Sequence, residues 1–362
     1  MKGQNILIIN PFGIGDVLFS TPLVKAIKKT YPDALLTYIC NKRAYGVLKD
    51  NPHISKLYIF EKDDYRRIWK ESKIRCLKAV HSFLRAIKKD GYDVVFDMTL
   101  SHMTSLLLLA FSNIRRRIGF NYRNRGRFLT DKVSLEGFND KHVIEYYLSL
   151  GSPIDINAAD KEMELFISDE DRAWAEGYLA QNGVVKGGRL CALIPGCGIS
   201  WGQDAKYRRW APGKFAEVAD HAAVKYGCKV IIFGEKSEAH VCAEVTSKMK
   251  ASPIEMCGKT NMGQFTALLD RCDLVITNDG GPLHMAVALK KKIVAIFGPV
   301  DEKIYGPYPP SPRYAVVTSN DPCRPCYKNF RHTKCGSVDC LAHIQPADVI
   351  KAIDKVMEGL AQ

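Results

Sequence analysis

Short runs of β-branched and aliphatic residues alternate with longer amphipathic segments along almost the whole chain, and this alternation restricts the fold more than any other feature. Residues 5–10 form such a run, residues 16–30 carry Leu18, Leu23, Val24 and Ile27 at helical spacing, and residues 35–39 form the next run. Strand, helix and strand in that order make a βαβ unit. Further strands are expected at 56–60, 93–96 and 117–120, with a long basic helix between them whose apolar stripe is Leu77, Val80, Leu84 and Ile87. Periodicity stops at 151–161, where Gly, Pro, Asn and Asp collect. A second series then opens on Ser168, an N-cap residue followed by Asp169, Glu170 and Asp171, and its helix ends near Gly183. Strands are expected at 190–194, 229–233, 274–277 and 293–297, and helices at 214–226, 237–249, 262–271 and 282–289. The chain therefore reads as α/β, with two Rossmann-like doubly wound domains facing a central cleft. They are an N-terminal domain over 1–160 and a C-terminal domain over 161–345, followed by a C-terminal helix over 346–362 that could pack back on the N-terminal domain.

Composition excludes several classes. With 46% hydrophobic and 25% charged residues over 362 positions, the chain is an ordinary globular mixture rather than a disordered or fibrous one. The longest apolar run, 106–111, falls far short of the roughly 18 to 20 residues of a membrane span. The first residues lack the apolar core and small-residue cleavage site of a signal peptide, so a cytoplasmic location is expected. Fifty-two Lys and Arg against 39 Asp and Glu give a net charge of +13, concentrated in the first half. There Arg66, Arg67, Lys70, Lys73, Arg75 and Lys78 precede Arg115, Arg116, Arg117, Arg123, Arg125 and Arg127. Such a field suits an anionic partner, or is simply a solvated basic face. Of twelve cysteines, Cys323, Cys326, Cys335 and Cys340 share one loop and could hold a structural metal or close as disulfides, and their spacing leaves both open.

Function must be read from the loops after the strands. The first is Pro11-Phe12-Gly13-Ile14-Gly15-Asp16. A dinucleotide fingerprint needs a third glycine where Leu18 stands, so what remains is a tight turn presenting Asp16 at a helix start, where it could equally cap the helix. The second runs from Pro195-Gly196-Cys197-Gly198 to Lys206-Tyr207-Arg208-Arg209-Trp210 and offers three cations to one anion. The third, Thr277-Asn278-Asp279-Gly280-Gly281-Pro282-Leu283-His284, places glycines and a proline at a helix N-terminus, which suits a pyrophosphate. The fourth, Phe233-Gly234-Glu235-Lys236-Ser237-Glu238, carries a carboxylate that could accept from ribose hydroxyls or complement a helix dipole.

Four stretches together resemble glycosyltransferase family 9, the lipopolysaccharide heptosyltransferases. They are Gly15-Asp16-Val17-Leu18-Phe19-Ser20-Thr21-Pro22, Arg208-Arg209-Trp210, Phe233-Gly234 to Glu238, and Asn278-Asp279-Gly280-Gly281-Pro282-Leu283-His284 with Phe297-Gly298-Pro299. The resemblance implies the GT-B architecture, an acceptor-binding N-terminal domain and a nucleotide-sugar-binding C-terminal domain. It implies inverting transfer of a heptose from ADP-heptose to the lipopolysaccharide inner core, with Asp16 as general base and no cofactor or metal called for. Gly13, Gly15, Gly196, Lys206, Arg208, Arg209, Glu238, Thr260, Asp279, Gly280, Gly281 and His284 become donor-binding positions. The family often reads Lys-Arg-Trp-Pro where this chain has Lys206-Tyr207-Arg208-Arg209-Trp210-Ala211-Pro212, which leaves open which cation meets the phosphates. The implied acceptor is an anionic glycolipid at the inner face of the cytoplasmic membrane, with Arg66, Arg67, Arg116 and Arg123 facing it. No nucleic-acid motif accompanies the charge. Rival readings are a transferase of the same fold using another sugar nucleotide, a nucleotide-sugar epimerase, and a binding module that has lost its chemistry.

Overall fold

The computed structural model describes residues 4–100, 113–156, 158–198, 202–328, 331–333, 335 and 337–359, so the apolar run 106–111 and the side chain of Arg125 lie outside the described set. The chain divides into two compact units, Met1–Glu164 and Leu165–Gln362. The first contains β1 (Asn5–Ile9), α1 (Ile14–Thr30), β2 (Leu35–Cys40), α2 (Lys42–Leu48), β3 (Lys56–Ile59), α3 (Lys62–Glu71), α4 (Lys73–Lys88), β4 (Val94–Asp97), β5 (Arg116–Tyr122), β6 (Asp131–Leu135) and α5 (Val143–Ser149). Its strands are all parallel in the order β3-β2-β1-β4-β5-β6. Ile6 to Ile9 are fully buried because helices cover both faces of the sheet, which is why β1 reads as an unbroken apolar run.

The second unit contains α6 (Asp169–Gln181), β7 (Leu190–Ile194), α7 (Pro212–Tyr226), β8 (Lys229–Ile232), α8 (Ala239–Lys248), β9 (Ile254–Glu255), α9 (Met262–Arg271), β10 (Leu274–Asn278), α10 (Gly281–Ala288), β11 (Lys292–Ile296), α11 (Glu302–Tyr305), β12 (Tyr314–Val317), β13 (Tyr327–Lys328), β14 (Arg331–His332), α12 (Asp339–Ala342) and α13 (Pro346–Glu358). Its main sheet runs β12-β11-β10-β7-β8-β9, the same winding as the first unit read from the other edge. Ser168 caps α6 by accepting from the Asp171 amide, as its position before three acidic residues predicts.

In each sheet the strand order reverses at one place, between β1 and β4 and between β7 and β10. Loops leaving the strands there diverge and open a crevice at the strand carboxyl ends, the habitual ligand position in such folds. The loops after β1, β7 and β10 are the ones that carry the sequence motifs.

The last helix, α13, packs on β11, β12 and α7 within the second unit. Val349, Ile353 and Val356 join the same buried cluster as Trp210 and Phe215. Trp210 Nε1 donates to the Ile344 carbonyl at 3.1 Å, and Lys214 Nζ donates to the carbonyls of Ala342 and Ile344, fixing the lead-in to the helix. In the first unit α4 is amphipathic as expected, but Leu77 is 60% exposed and only Cys76 and Ile87 are buried.

Candidate functional site

Asp16 stands in the first turn of α1, three residues after Gly13, the N-cap. Gly13 has φ −65°, an extended conformation open to any residue, and a side chain added there would meet the Asp16 Oδ2 at 3.5 Å. The glycine therefore leaves space beside the carboxylate rather than permitting a special turn. Asn10, fully buried at the end of β1, donates its amide to the Asp16 carbonyl at 3.1 Å and so ties the strand end to the helix start. Asp16 keeps part of its surface in solvent, but protein packs densely around its carboxylate. Burial pushes the carboxyl up to about 6, opposed by hydrogen bonds from the Gly13 and Asp16 amides. The same group thus braces the helix terminus and titrates close to neutrality.

In the second unit three loops meet around one carboxylate. Glu238, 2% exposed, accepts from the amides of Cys197 and Gly198, both 3.0 Å from Oε1. It also accepts from Arg209 Nη2 at 3.2 Å and, through Oε2, from the Glu235 amide at 3.1 Å. A side chain at Gly196 would place its first carbon 2.4 Å from the Glu238 carboxylate, so only glycine fits. Both oxygens of Glu238 hold the loop after β7 against the loop after β8, and Oε2, with the Glu235 amide as its one donor among these bonds, keeps acceptor capacity.

Arg208 and Asp279 form a second buried pair, 2.7 Å from Nη2 to Oδ2, with a further bond from Nη2 to the Asp279 carbonyl at 2.9 Å. Burial raises the Asp279 carboxyl, while the guanidinium beside it opposes the rise. Asn278, to which the motif alone assigns no role, links the two loops. Its Oδ1 accepts from the Trp210 amide at 3.1 Å, and its Nδ2 donates to the carbonyls of Pro195 and Gly196 at 2.8 and 3.2 Å. Gly280 runs extended with its α-carbon pressed on Cys197, where a side chain would lie 3.0 Å from the carbonyl oxygen. Gly281 begins α10, Pro282 occupies its first turn, and His284 is buried at 4% exposure. By helical geometry the first amides of α10 lack intrahelical partners and present the positive end of the dipole.

The three cations of the second loop now separate. Arg208 and Arg209 are committed to Asp279 and Glu238, whereas Lys206 is exposed, stacks at 5.2 Å over Tyr207, and has no carboxylate partner among the described residues. Thr260 is half-buried just before Asn261, the N-cap of α9.

The acceptor candidates divide as well. Arg116 is bound to Asp131 at 2.7 Å and donates to the Pro153 carbonyl, a structural clasp across β5 and β6. Arg66 and Arg67 pair with Asp63 and Asp64 one turn earlier on α3. Arg123 is exposed, in a left-handed turn at φ 50°, with its guanidinium 5.0 Å above Tyr122. Cys323, Cys335 and Cys340 are free thiols, and among the described residues no three His, Cys, Asp or Glu side chains converge as metal ligands.

Comparison with known proteins bears on this arrangement. Residues 80–335 match glycosyltransferase family 9 (heptosyltransferase). Lipopolysaccharide heptosyltransferase 3 of Escherichia coli is 24% identical over 355 residues, covering 95% of this chain and 96% of that protein. The crystal structure of a family 9 glycosyl transferase from Veillonella parvula has a TM-score of 0.80 at 23% identity, with 99% of this chain and 98% of the other covered. E. coli ADP-heptose lipopolysaccharide heptosyltransferase II has a TM-score of 0.75 at 20% identity, with 100% of both chains covered.

Proposed function

The chain belongs to glycosyltransferase family 9, and from that premise we propose that it moves a heptose from ADP-heptose to the inner core of lipopolysaccharide, with inversion and with Asp16 as general base. The family match carries the transferase reading, and the observation that carries Asp16's part in it is its carboxyl, pushed up to about 6 at the strand end where the first sheet reverses its order. A carboxylate of that basicity is mostly ionised at neutral pH yet accepts a proton far more readily than an ordinary aspartate. In the reaction the acceptor hydroxyl oxygen bonds to the anomeric carbon as the bond from that carbon to the ADP oxygen breaks. The electron pair leaves with ADP, and the hydroxyl proton passes to Asp16.

Charge growing on the departing diphosphate is met by the second unit. The N-terminus of α10 at Gly280 and Gly281 supplies amides and dipole, and Lys206 supplies the mobile cation. Arg208, Arg209, Glu238 and Asp279 act differently, by fixing the loops so that these donors are in place before the donor substrate arrives. The acceptor in this reading is an anionic, Kdo-bearing glycolipid at the inner membrane face.

The test is mass-spectrometric detection of product from purified protein, ADP-heptose and Kdo-containing lipid A, with Asp16→Ala beside the wild type. One added heptose from the wild type, lost in a variant that still binds ADP, is the expected result. Equal product from both proteins would remove Asp16 from the mechanism, and no product with any core acceptor would remove the lipopolysaccharide assignment.

A further inference from the structure

The helices α3 and α4 stand apart from the rest of the first unit in what they leave exposed. None of the residues of α3 is buried, and α4 buries only two of sixteen. Trp69 is 47%, Ile74 68% and Leu77 60% exposed. Isolated exposed apolar residues are unremarkable, but Ile74 and Leu77 lie one turn apart on α4, and Lys73, one turn before Leu77, places its ammonium 5.8 Å from the Trp69 ring.

The charges on the hairpin are sorted in the same way. Residues 62–88 hold nine Lys and Arg against three acidic residues. Asp63, Asp64 and Glu71 are each taken up by an arginine of the hairpin, namely Arg66, Arg67 and Arg75. Lys70, Lys73 and Lys78, interleaved with the exposed apolar side chains, have no carboxylate partner among the described residues. Apolar residues ringed by unneutralised lysines on a surface helix match an anionic lipid interface, where the rings and aliphatic groups enter the acyl boundary and the ammonium groups remain at the phosphates. No described helix is long and apolar enough to cross a membrane, so the contact is interfacial.

We propose that the α3–α4 hairpin docks this protein on an anionic membrane surface, inserting Trp69, Ile74 and Leu77 and pairing Lys70, Lys73 and Lys78 with lipid phosphates. The inference deepens the proposed function, in which the acceptor is a membrane glycolipid, but its test needs no donor and no turnover, and the acceptor lipid enters only as a control. Full-length protein is floated with vesicles of phosphatidylethanolamine and phosphatidylglycerol (7:3), and with pure phosphatidylcholine, at 0.1 and 0.5 M NaCl. Each surface lysine contributes roughly fivefold to partitioning at low salt. Wild type is therefore expected to bind the anionic vesicles at least tenfold better than phosphatidylcholine, and to release in high salt. Trp69→Ser/Leu77→Ser and Lys73→Glu/Lys78→Glu should each lose at least tenfold in partitioning with unchanged melting curves, because all four side chains are exposed. Equal binding to both lipids, no binding at low salt, or variants that float like wild type would overturn the proposal. So would binding that appears only when Kdo-lipid A is added, which would make the face an acceptor subsite. None of these outcomes depends on whether Asp16 is the base.

Discussion

Replacing Asp16 with asparagine separates the catalytic role proposed for it from its structural one, because the two give opposite signs. Burial raises the carboxyl from 3.8 to about 6, so the folded protein holds the proton more tightly than the unfolded chain does. The stability linked to this group is fully present below about 3.8 and is lost as pH rises through about 6. A shift of about two units corresponds to about 3 kcal/mol, an upper bound because the residue keeps some contact with water. Asp16→Asn should therefore gain stability at pH 8, by up to that amount, and show little gain at pH 4. Activity should move the other way. For the wild type, kcat/KM should fall below pH 6 with unit slope, reaching about a tenth of its plateau at pH 5, and Asp16→Asn should lose at least 100-fold at every pH. Urea denaturation at pH 4 and 8 reads the first effect, and ADP release from ADP-heptose between pH 5 and 8 reads the second. A variant less stable at pH 8, or a wild-type profile flat down to pH 5, would refute the reasoning: the first outcome would mean that the hydrogen bond from Gly13 outweighs desolvation, the second that no group titrating near 6 limits the reaction.

The remaining predictions concern charge and space. Gly196→Ala forces a carbon to within 2.4 Å of the Glu238 carboxylate, so it should cost about 2–4 kcal/mol in denaturation and weaken ADP binding at least tenfold by calorimetry. Lys206→Ala should leave melting unchanged while raising the donor KM about tenfold, whereas Arg208→Ala strands a buried carboxylate and should destabilise by about 3–5 kcal/mol. Arg116→Ala should lower stability by about 1–2 kcal/mol and leave acceptor KM as it was, since its guanidinium is occupied by Asp131 and the Pro153 carbonyl. An unchanged melt with a raised acceptor KM would return Arg116 to the acceptor site.

The sequence made the central strands legible for a physical reason. A parallel strand covered on both faces is apolar along nearly all its length, and β7 and β10 are buried throughout. Edge strands carry no such requirement. β6 buries only Leu135 of five residues, and β9 has two residues, so neither stands out from loop composition. The role of the asparagines that tie the loops was missed although a signal was there: Asn10 and Asn278 each end a buried apolar run with a polar side chain, and both are fully buried. A residue that pairs with no neighbour in sequence but terminates a core strand is a candidate for bonding across strand ends.

Charge is where sequence and structure part furthest, because a count of cations cannot show which are already spent. Lys206, Arg208 and Arg209 are almost adjacent, yet their partners come from positions 29 and 71 residues away for the two arginines, and the lysine is left over. The same subtraction acts on the hairpin, where three arginines take the three carboxylates and the lysines remain. In both places arginine, with its rigid fork, holds an internal carboxylate, and lysine, a flexible point charge, stays in solvent. The net charge of +13 therefore describes long-range attraction to an anionic surface, while the cations available for a particular phosphate are the few that folding leaves unpaired. If both proposals hold, the consequence is a split in salt dependence: membrane association should follow ionic strength steeply, and donor affinity, assigned in the proposal to one exposed lysine and a helix terminus, should follow it weakly.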